Sequence, residues 1–498
     1  MTVAAQKIVI VGSGIAGMCT ALALATKKLD VTMLERDTPP PQGDADSAFF
    51  DWPRRGATQF RHPHAFLGLM CNLLQDNYPD LLEEFYAAGA RRVDFKDMLS
   101  QELEPKYKAQ PGDEKLWVLM CRRATIETVL RRYLDRFTNI RIINNITIDG
   151  VNTVSNEFGL TTTGLKVRKD CVAEFGSEIS ADIIVDASGR TTRFPKWFGQ
   201  AGTQIPEEND DAEIVYYTRH YRFLAGHDEP PRTGKDRPGG DLGYIKFGVF
   251  PGDNGNFAII LCMHKREVAL RKTIKDGDNF DAVCRSIPGL TPWLAQGTIE
   301  ATTPSFGIGD IRALWRHYVV DNAPLVQNFF AVGDAALRTN PLYGRGCSTS
   351  ILHAHILADL LVEIDDPKAR AIAFNHRTEE SLRPIFQASL SEDKSGIRRA
   401  LAVLEGQELE ESTTFKQRFA LAFGDALAAA ARYNLRVNRG VMRTVNLLEK
   451  PGAFLADWRT KLIIFSYMLR GRSKNAQARI QRGPSRDEMQ SLIADLKS

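Results

Sequence analysis

The chain has 498 residues, 43% hydrophobic and 25% charged, with 64 Lys and Arg against 61 Asp and Glu and a net charge of +3. That length suits two or three domains and a large core, the composition is ordinary for a globular protein, and with the charge near balance nothing global points to nucleic acid. Seven cysteines, at 19, 71, 121, 171, 262, 284 and 347, form no C-x-x-C pair and are odd in number, which excludes a disulfide framework and a zinc site and suits a reducing compartment.

The amino terminus, MTVAAQK, runs straight into the first predicted strand and leaves no room for a signal peptide. No apolar run is long enough to span a bilayer, so the expected location is cytoplasmic. Residues 8–11 read as a buried parallel strand, 15–25 as a helix and 30–34 as the next strand. Between the first two lies G-x-G-x-x-G in the context that gives it meaning. Gly12 permits the tight turn, Gly14 lets backbone approach a pyrophosphate, and Gly17 lets helix and strand pack closely. Ile15 and Ala16 open the helix, whose free N–H groups favour an anion, and Glu35 with Arg36 follows the second strand where an acid meets a ribose. A dinucleotide site is the expectation.

A proline-rich loop, TPPPQGDADS, leads to FFDWPRRGATQFRHPHAFLGLM, dense in Arg, His and aromatics. Pro63 keeps this segment extended, which places His62 and His64 on one side. They read as packing histidines or as functional ones; no third ligand lies near enough for a metal. Residues 65–88 predict one or two helices, RRATIETVLRRYL an amphipathic helix, and 140–148 and 161–172 strands. SADIIVDASGR is a buried strand ending in small residues, as close backbone approach requires.

From 197 to 318 alternation takes over, and GDNGN before FAIILCM predicts a hairpin turn. This predicts an inserted antiparallel sheet, with Tyr216, Tyr217, Phe223, Phe247 and Phe250 available to line a substrate pocket. The parallel pattern returns at QNFFAVGDA, which delivers Asp334 to a strand end. Pro341 follows in a turn, and Gly344 and Gly346 lead into a second glycine-entered helix over 347–361. Beyond 370 the chain predicts charged helices, including 415–433 and 437–448. Residues 458–474, apolar with basic flanks, fit a packed core helix with a solvated end, or one that rests on a membrane surface or covers an apolar pocket.

In this order, GSGIAG with Glu35-Arg36, RRATIETVLRRYL, DASGR and GDAALRTNPLYGRG resemble the single-component FAD-dependent monooxygenases of the aromatic hydroxylase class. WPRRGATQFRHPH, YYTRHYR and NPLYGRG look most like the flavin epoxidases of polyketide polyenes, with squalene epoxidases more distant. The resemblance implies an α/β fold: a Rossmann-type FAD-binding domain, an inserted antiparallel β-sheet substrate domain and a helical carboxyl-terminal region. The expected boundaries are 1–195 and 320–375 for the FAD-binding domain, 196–319 for the substrate domain and 376–498 for the helical region.

The same resemblance implies that Arg61 and Arg123 approach FAD, that Asp334 bonds its ribityl chain, and that the helix at Gly346 faces its pyrimidine edge. His62, His64 and Pro341 become the catalytic candidates beside the flavin. The implied reaction passes one oxygen atom of O2, through a flavin hydroperoxide, to a hydrophobic olefinic or aromatic small molecule. NADPH or NADH is the implied reductant. Asp186 is followed by Ala-Ser-Gly rather than by the Asp-Gly pair of many NADPH-using members, which admits a separate flavin reductase as partner. Alternatives are an FAD-dependent reductase of isoprenoid double bonds, a non-catalytic FAD-fold carrier of lipidated partners, and a flavin halogenase. The last lacks its Trp-x-Trp-x-Ile-Pro signature here.

Overall fold

The computed structural model describes residues 6–156, 159–231, 236–407, 414–476 and 482–496. Two sheets of opposite design position the site. The first is five-stranded and parallel, in the order Phe329–Ala331, Ile183–Asp186, Ile8–Val11, Val31–Leu34, Ile140–Ile143. Its strands are short and almost wholly apolar because both faces are covered. Ile8, Ile10, Met33 and Val185 pack under the helices Ile15–Thr26 and Gly346–Glu363, while Val9, Leu34 and Ile184 pack on the other side with Phe194, Trp197 and Phe329. Val11 lies opposite both Leu34 and Asp186, and Asp186 opposite Ala331. The strand ends are therefore level, and Gly12, Glu35, Ala187 and the Gly333-Asp334 turn come to one edge, where α/β sheets bind ligands.

The second sheet is antiparallel, built around Ile214–Phe223, Ile245–Pro251 and Asn256–His264, with three shorter strands joined to it. The predicted hairpin turn sits between Pro251 and Asn256, with Asn254 and Gly255 both at positive φ. One face of this sheet is closed by a core that includes Leu270, Phe280, Val283 and Trp293. The fold is thus α/β with a Rossmann-type parallel sheet, an antiparallel sheet and a helical carboxyl-terminal region.

Residues 65–88 form two helices, Gly68–Asn77 and Pro79–Ala87, as one of the two expected outcomes had it, because Pro79 starts a new one. Two expectations shift. The strand expected over 161–172 ends at Val167, and 172–175 turn into helix. The boundary expected at 375 falls inside one continuous helix, Pro367–Glu405, whose Asp366 cap accepts from Ala369 N at 2.7 Å. Beyond it, Phe415–Tyr433, Leu435–Val445 and Trp458–Met468 share a small core of their own, centred on Ala426, Ala430, Val437 and Ile464. Arg439 ties this layer to the body through a buried pair with Asp113 at 2.8 Å.

Candidate cofactor and substrate cavity

A cavity of about 510 Å³ runs from the level strand ends to the antiparallel sheet. It is within the range of small-molecule and cofactor sites. Its first end is lined by Gly12, Gly14, Ile15, Ala16, Glu35 and Arg36, its middle by Arg123, Asp334, Gly344 and Gly346, and its far end by Tyr216, Phe250, Ile260, Ile308 and Pro341.

The glycines divide into two kinds. Gly12 has φ +105°, and a Cβ there would meet Ala187 O at 2.6 Å; a Cβ on Gly17 would meet Gly12 O at 2.0 Å. These two allow the turn and the helix to pack against the sheet, and Gly17 does not line the cavity. Gly14 and Gly346 behave differently. A Cβ on Gly14 meets only Arg123 Nη2 at 3.9 Å, and one on Gly346 meets nothing within 4 Å. They hold space open at the amino termini of two helices, where N–H groups and the helix dipole await negative charge. Asp334 supplies the complementary group. Among the described residues its carboxylate receives no hydrogen bond, and burial raises its pKa although the Arg338 and Arg123 guanidiniums oppose this. Open helix ends and an acceptor without a protein donor fit the pyrophosphate and hydroxyls of FAD.

Glu35 is more heavily engaged than a free ribose acceptor. Its Oε2 accepts from Ser13 N at 2.9 Å and Ser13 Oγ at 2.7 Å and pairs with Arg54 at 3.2 Å, and its Oε1 accepts from Asp37 N at 2.9 Å. Burial alone would raise its pKa; Arg54 and these hydrogen bonds outweigh that and hold it below the ordinary value. Arg54 continues the chain of charges. It donates to Glu127 Oε2 at 2.9 Å, Glu127 Oε1 accepts from Arg123 Nε, and Arg123 Nη1 lies 3.3 Å from His64 Nε2. Glu127 is fully buried and clamps both arginines.

A guanidinium only donates, so His64 Nε2 is the bare acceptor and its Nδ1–H donates to His62 O at 2.8 Å. Burial, then Arg123, push its pKa down to about 3; burial takes His62 and His220 to about 4. All three imidazoles are neutral at physiological pH. His62 and His64 both line the cavity, but their hydrogen bonds run to different parts of the molecule. His62 Nδ1 lies 2.9 Å from Thr218 Oγ1 on the antiparallel sheet, while His64 supports Arg123. His220 Nε2 donates to Arg61 O at 2.9 Å and fastens the same segment.

Arg61 does not reach the cavity. Its Nε and Nη2 donate to Phe49 O at 3.1 Å and Phe50 O at 2.8 Å, at the carboxyl end of the helix Ala45–Asp51. The arginine that takes the inner place is Arg54, in the same basic segment, and nothing in local spacing distinguishes the two. Glu127 did leave a signal, since Arg123 and Glu127 stand four apart on one helix.

The five aromatic candidates also part company, because strand neighbours point to opposite faces. Tyr216, Thr218 and His220 face the cavity side with Phe250. Tyr217 and Phe247, which both lie opposite Leu261, belong instead to the core on the far face, and Phe223 stacks on Phe257 there at 4.8 Å. Two further residues escaped the sequence. The Tyr216 hydroxyl donates to Asn340 Oδ1, and Asn340 Nδ2 and Tyr343 OH donate to Asp393 Oδ1 at 2.6 and 2.9 Å. The long helix thereby braces the loop that carries Pro341 into the second glycine turn. No group of His, Cys, Asp or Glu suited to a metal occurs among the described residues.

Residues 7–49 match the FAD dependent oxidoreductase family. Over 232 residues the chain is 27% identical to protein Rv3254 of Mycobacterium tuberculosis, covering 44% of this chain and 45% of that one. Over 357 residues it is 22% identical to the flavin-dependent halogenase gsfI of Penicillium aethiopicum, covering 68% of this chain and 61% of that one. The chain thus spans about half the length of the curated relatives it matches. Its fold is similar to that of PqsL, a probable FAD-dependent monooxygenase from Pseudomonas aeruginosa, with a TM-score of 0.54, 14% identity, and 83% of this chain and 98% of that one covered. At that identity the likeness is one of fold.

Proposed function

We propose that the chain is an FAD-dependent monooxygenase that places one oxygen atom of O2 on a hydrophobic olefinic or aromatic substrate, by epoxidation or hydroxylation. The observation that carries this reading is the continuity of the cavity: two glycine-lined helix ends and the apolar side of the antiparallel sheet open into one space. When bound, FAD supplies the electrons and the activation of O2. Gly14 and Arg123 take the pyrophosphate, Glu35 and Arg36 the ribose end, and Asp334 the hydroxyls of the linking chain. With FAD bound, the amino terminus of the helix Gly346–Glu363 would stabilise negative charge on the reduced cofactor. Tyr216, Phe250, Ile260 and Ile308 form the wall that excludes water and holds the substrate. His62 and His64, being neutral, serve by position, and His64 steadies Arg123.

Electrons come from NADPH or NADH, and we assign their delivery to a separate flavin reductase. The missing Asp-Gly pair favours this: Asp186 is followed by Ala-Ser-Gly, and its carboxylate accepts from Ser188 N and Oγ and from Thr192 Oγ1. The purified protein is expected to be yellow. Reduction by each nicotinamide, with and without a flavin reductase, is followed by isotopically labelled O2 and candidate olefins and phenols. One labelled oxygen in the product supports the reading. Oxygen uptake indifferent to substrate, or a product that has gained two hydrogens, overturns it. The similarity to the Penicillium halogenase favours a second reading, halogenation, which the same assay with added chloride or bromide tests through halogen in the product.

A further inference from the structure

The helix Trp458–Met468 is apolar on two opposite sides. Thr460, Ile464 and Tyr467 are buried in the small core that it shares with Phe415–Tyr433. Trp458, Leu462, Phe465 and, just beyond its end, Leu469 are exposed by 63, 57, 55 and 75%. At about 100° per residue, those four fall within about 60° of arc, roughly opposite the buried three. An exposed stripe of this kind is not what a soluble surface needs. On the neighbouring helix Phe415 and Phe419, one turn apart, are exposed by 82 and 52%.

Charge is arranged around the stripe. Arg459 and Arg470 lie on one flank and Lys461 on the other, at about 70 to 110° from its centre. With Lys474 they form no ion pair among the described residues, and Arg459 and Arg470 sit over the rings of Trp458 and Tyr467 at 5.5 and 3.8 Å. The surrounding segment is strongly one-sided. Residues 415–483 contain 14 Lys and Arg against 3 Asp and Glu, which leaves 50 against 58 for the rest of the chain. The helix Trp458–Met468 has no acidic residue at all.

We propose that this face is a peripheral membrane-docking surface for an anionic phospholipid bilayer, with Trp458, Leu462, Phe465 and Leu469 entering the headgroup boundary. Apolar side chains flanked by long cationic ones that extend to the headgroups are the arrangement of an interfacial helix. Unpaired cations on a positive segment select an anionic surface. The helix is too short to span, and no helix among the described residues is long and apolar enough to cross a membrane.

The test is co-sedimentation of the full chain with vesicles of phosphatidylcholine alone or mixed with phosphatidylserine, alongside analytical ultracentrifugation without lipid. The protein is expected to sediment with the mixed vesicles and far less with phosphatidylcholine alone. Leu462→Glu with Phe465→Glu is expected to abolish binding, and Lys461→Gln with Arg470→Gln to weaken it about thirtyfold. All these side chains are exposed, and an unchanged circular dichroism spectrum and thermal midpoint establish that the variants fold. Three results overturn the proposal: no sedimentation with either vesicle, anionic binding that survives both double variants, or a dimer that Leu462→Glu dissociates in a protein that ignores vesicles. The last would make the stripe a contact between copies of this chain.

Discussion

The cavity and the carboxyl-terminal layer use the same residue types in opposite ways. In the cavity Arg54 and Arg123 are buried and held by Glu127, which is itself without solvent exposure, and the aromatic Tyr216 is buried at the far end of the same space. In the outer layer Arg459, Lys461 and Arg470 stand unpaired among the described residues, and Trp458, Phe465 and Leu469 face water. Burial decides which role an arginine takes. Inside, its charge must be matched, so it becomes a fixed part of a site. Outside, solvent screens it, and it remains available to a partner.

The largest effect follows from breaking the inner arrangement. Glu127→Gln leaves two buried guanidiniums facing each other and is expected to destabilise the protein by about 3–5 kcal/mol, read from urea denaturation. A change below about 1 kcal/mol would mean that other groups, Glu35 and Asp37 beside Arg54 among them, balance those charges without Glu127. Next in size is Gly14→Val. Its side chain enters open space rather than backbone, so the thermal midpoint is expected to hold while bound flavin falls by about a hundredfold or more. Equal loss of midpoint and flavin would refute the division between packing and space-holding glycines.

A pH series sharpens the contrast further. His62, His64 and His220 stay neutral in the fold until about 4, 3 and 4, whereas unfolded histidines take up a proton below about 6.5. The unfolded chain then binds more protons, so stability is full above about 6.5 and is lost as the pH falls from there towards 4. Each histidine contributes at most about 1.4 kcal/mol per pH unit. His64→Gln is expected to flatten the slope of the urea midpoint against pH, and an unaltered slope would remove His64 from this account. The smallest effect belongs to the outer layer. Leu462→Ser should move stability by no more than about 0.5 kcal/mol, and a larger loss would show that the stripe packs against part of the chain.

The strand-end side of the cavity was legible in the chain. Gly12, Gly14, Glu35 and Gly346 stand beside strand, turn and helix signals, Arg123 and Asp334 are singled out by the resemblance, and all six line the cavity. The choice of Arg54 over Arg61 was not, although both sit in one basic segment, because it depends on reaching Glu127, 73 positions away in sequence from Arg54. Among the aromatics, alternation predicts that Tyr216 and Tyr217 oppose each other but not which of them meets the cavity. Asn340 and Asp393 meet only because the long helix passes beside the loop.

By itself the amino-acid sequence determined the local elements: the glycine-turned strand–helix–strand unit, the alternating strands and the helix at 415–433. These follow from short-range sterics and from the repeat of apolar residues, which neighbours along the chain suffice to specify. Only the tertiary structure decided which guanidiniums share Glu127, which sheet face lines the cavity, and which apolar side of Trp458–Met468 is left uncovered. A helix apolar on two sides and an arginine among arginines carry no local mark of their partner, because burial and charge pairing are properties of what the rest of the chain brings against them.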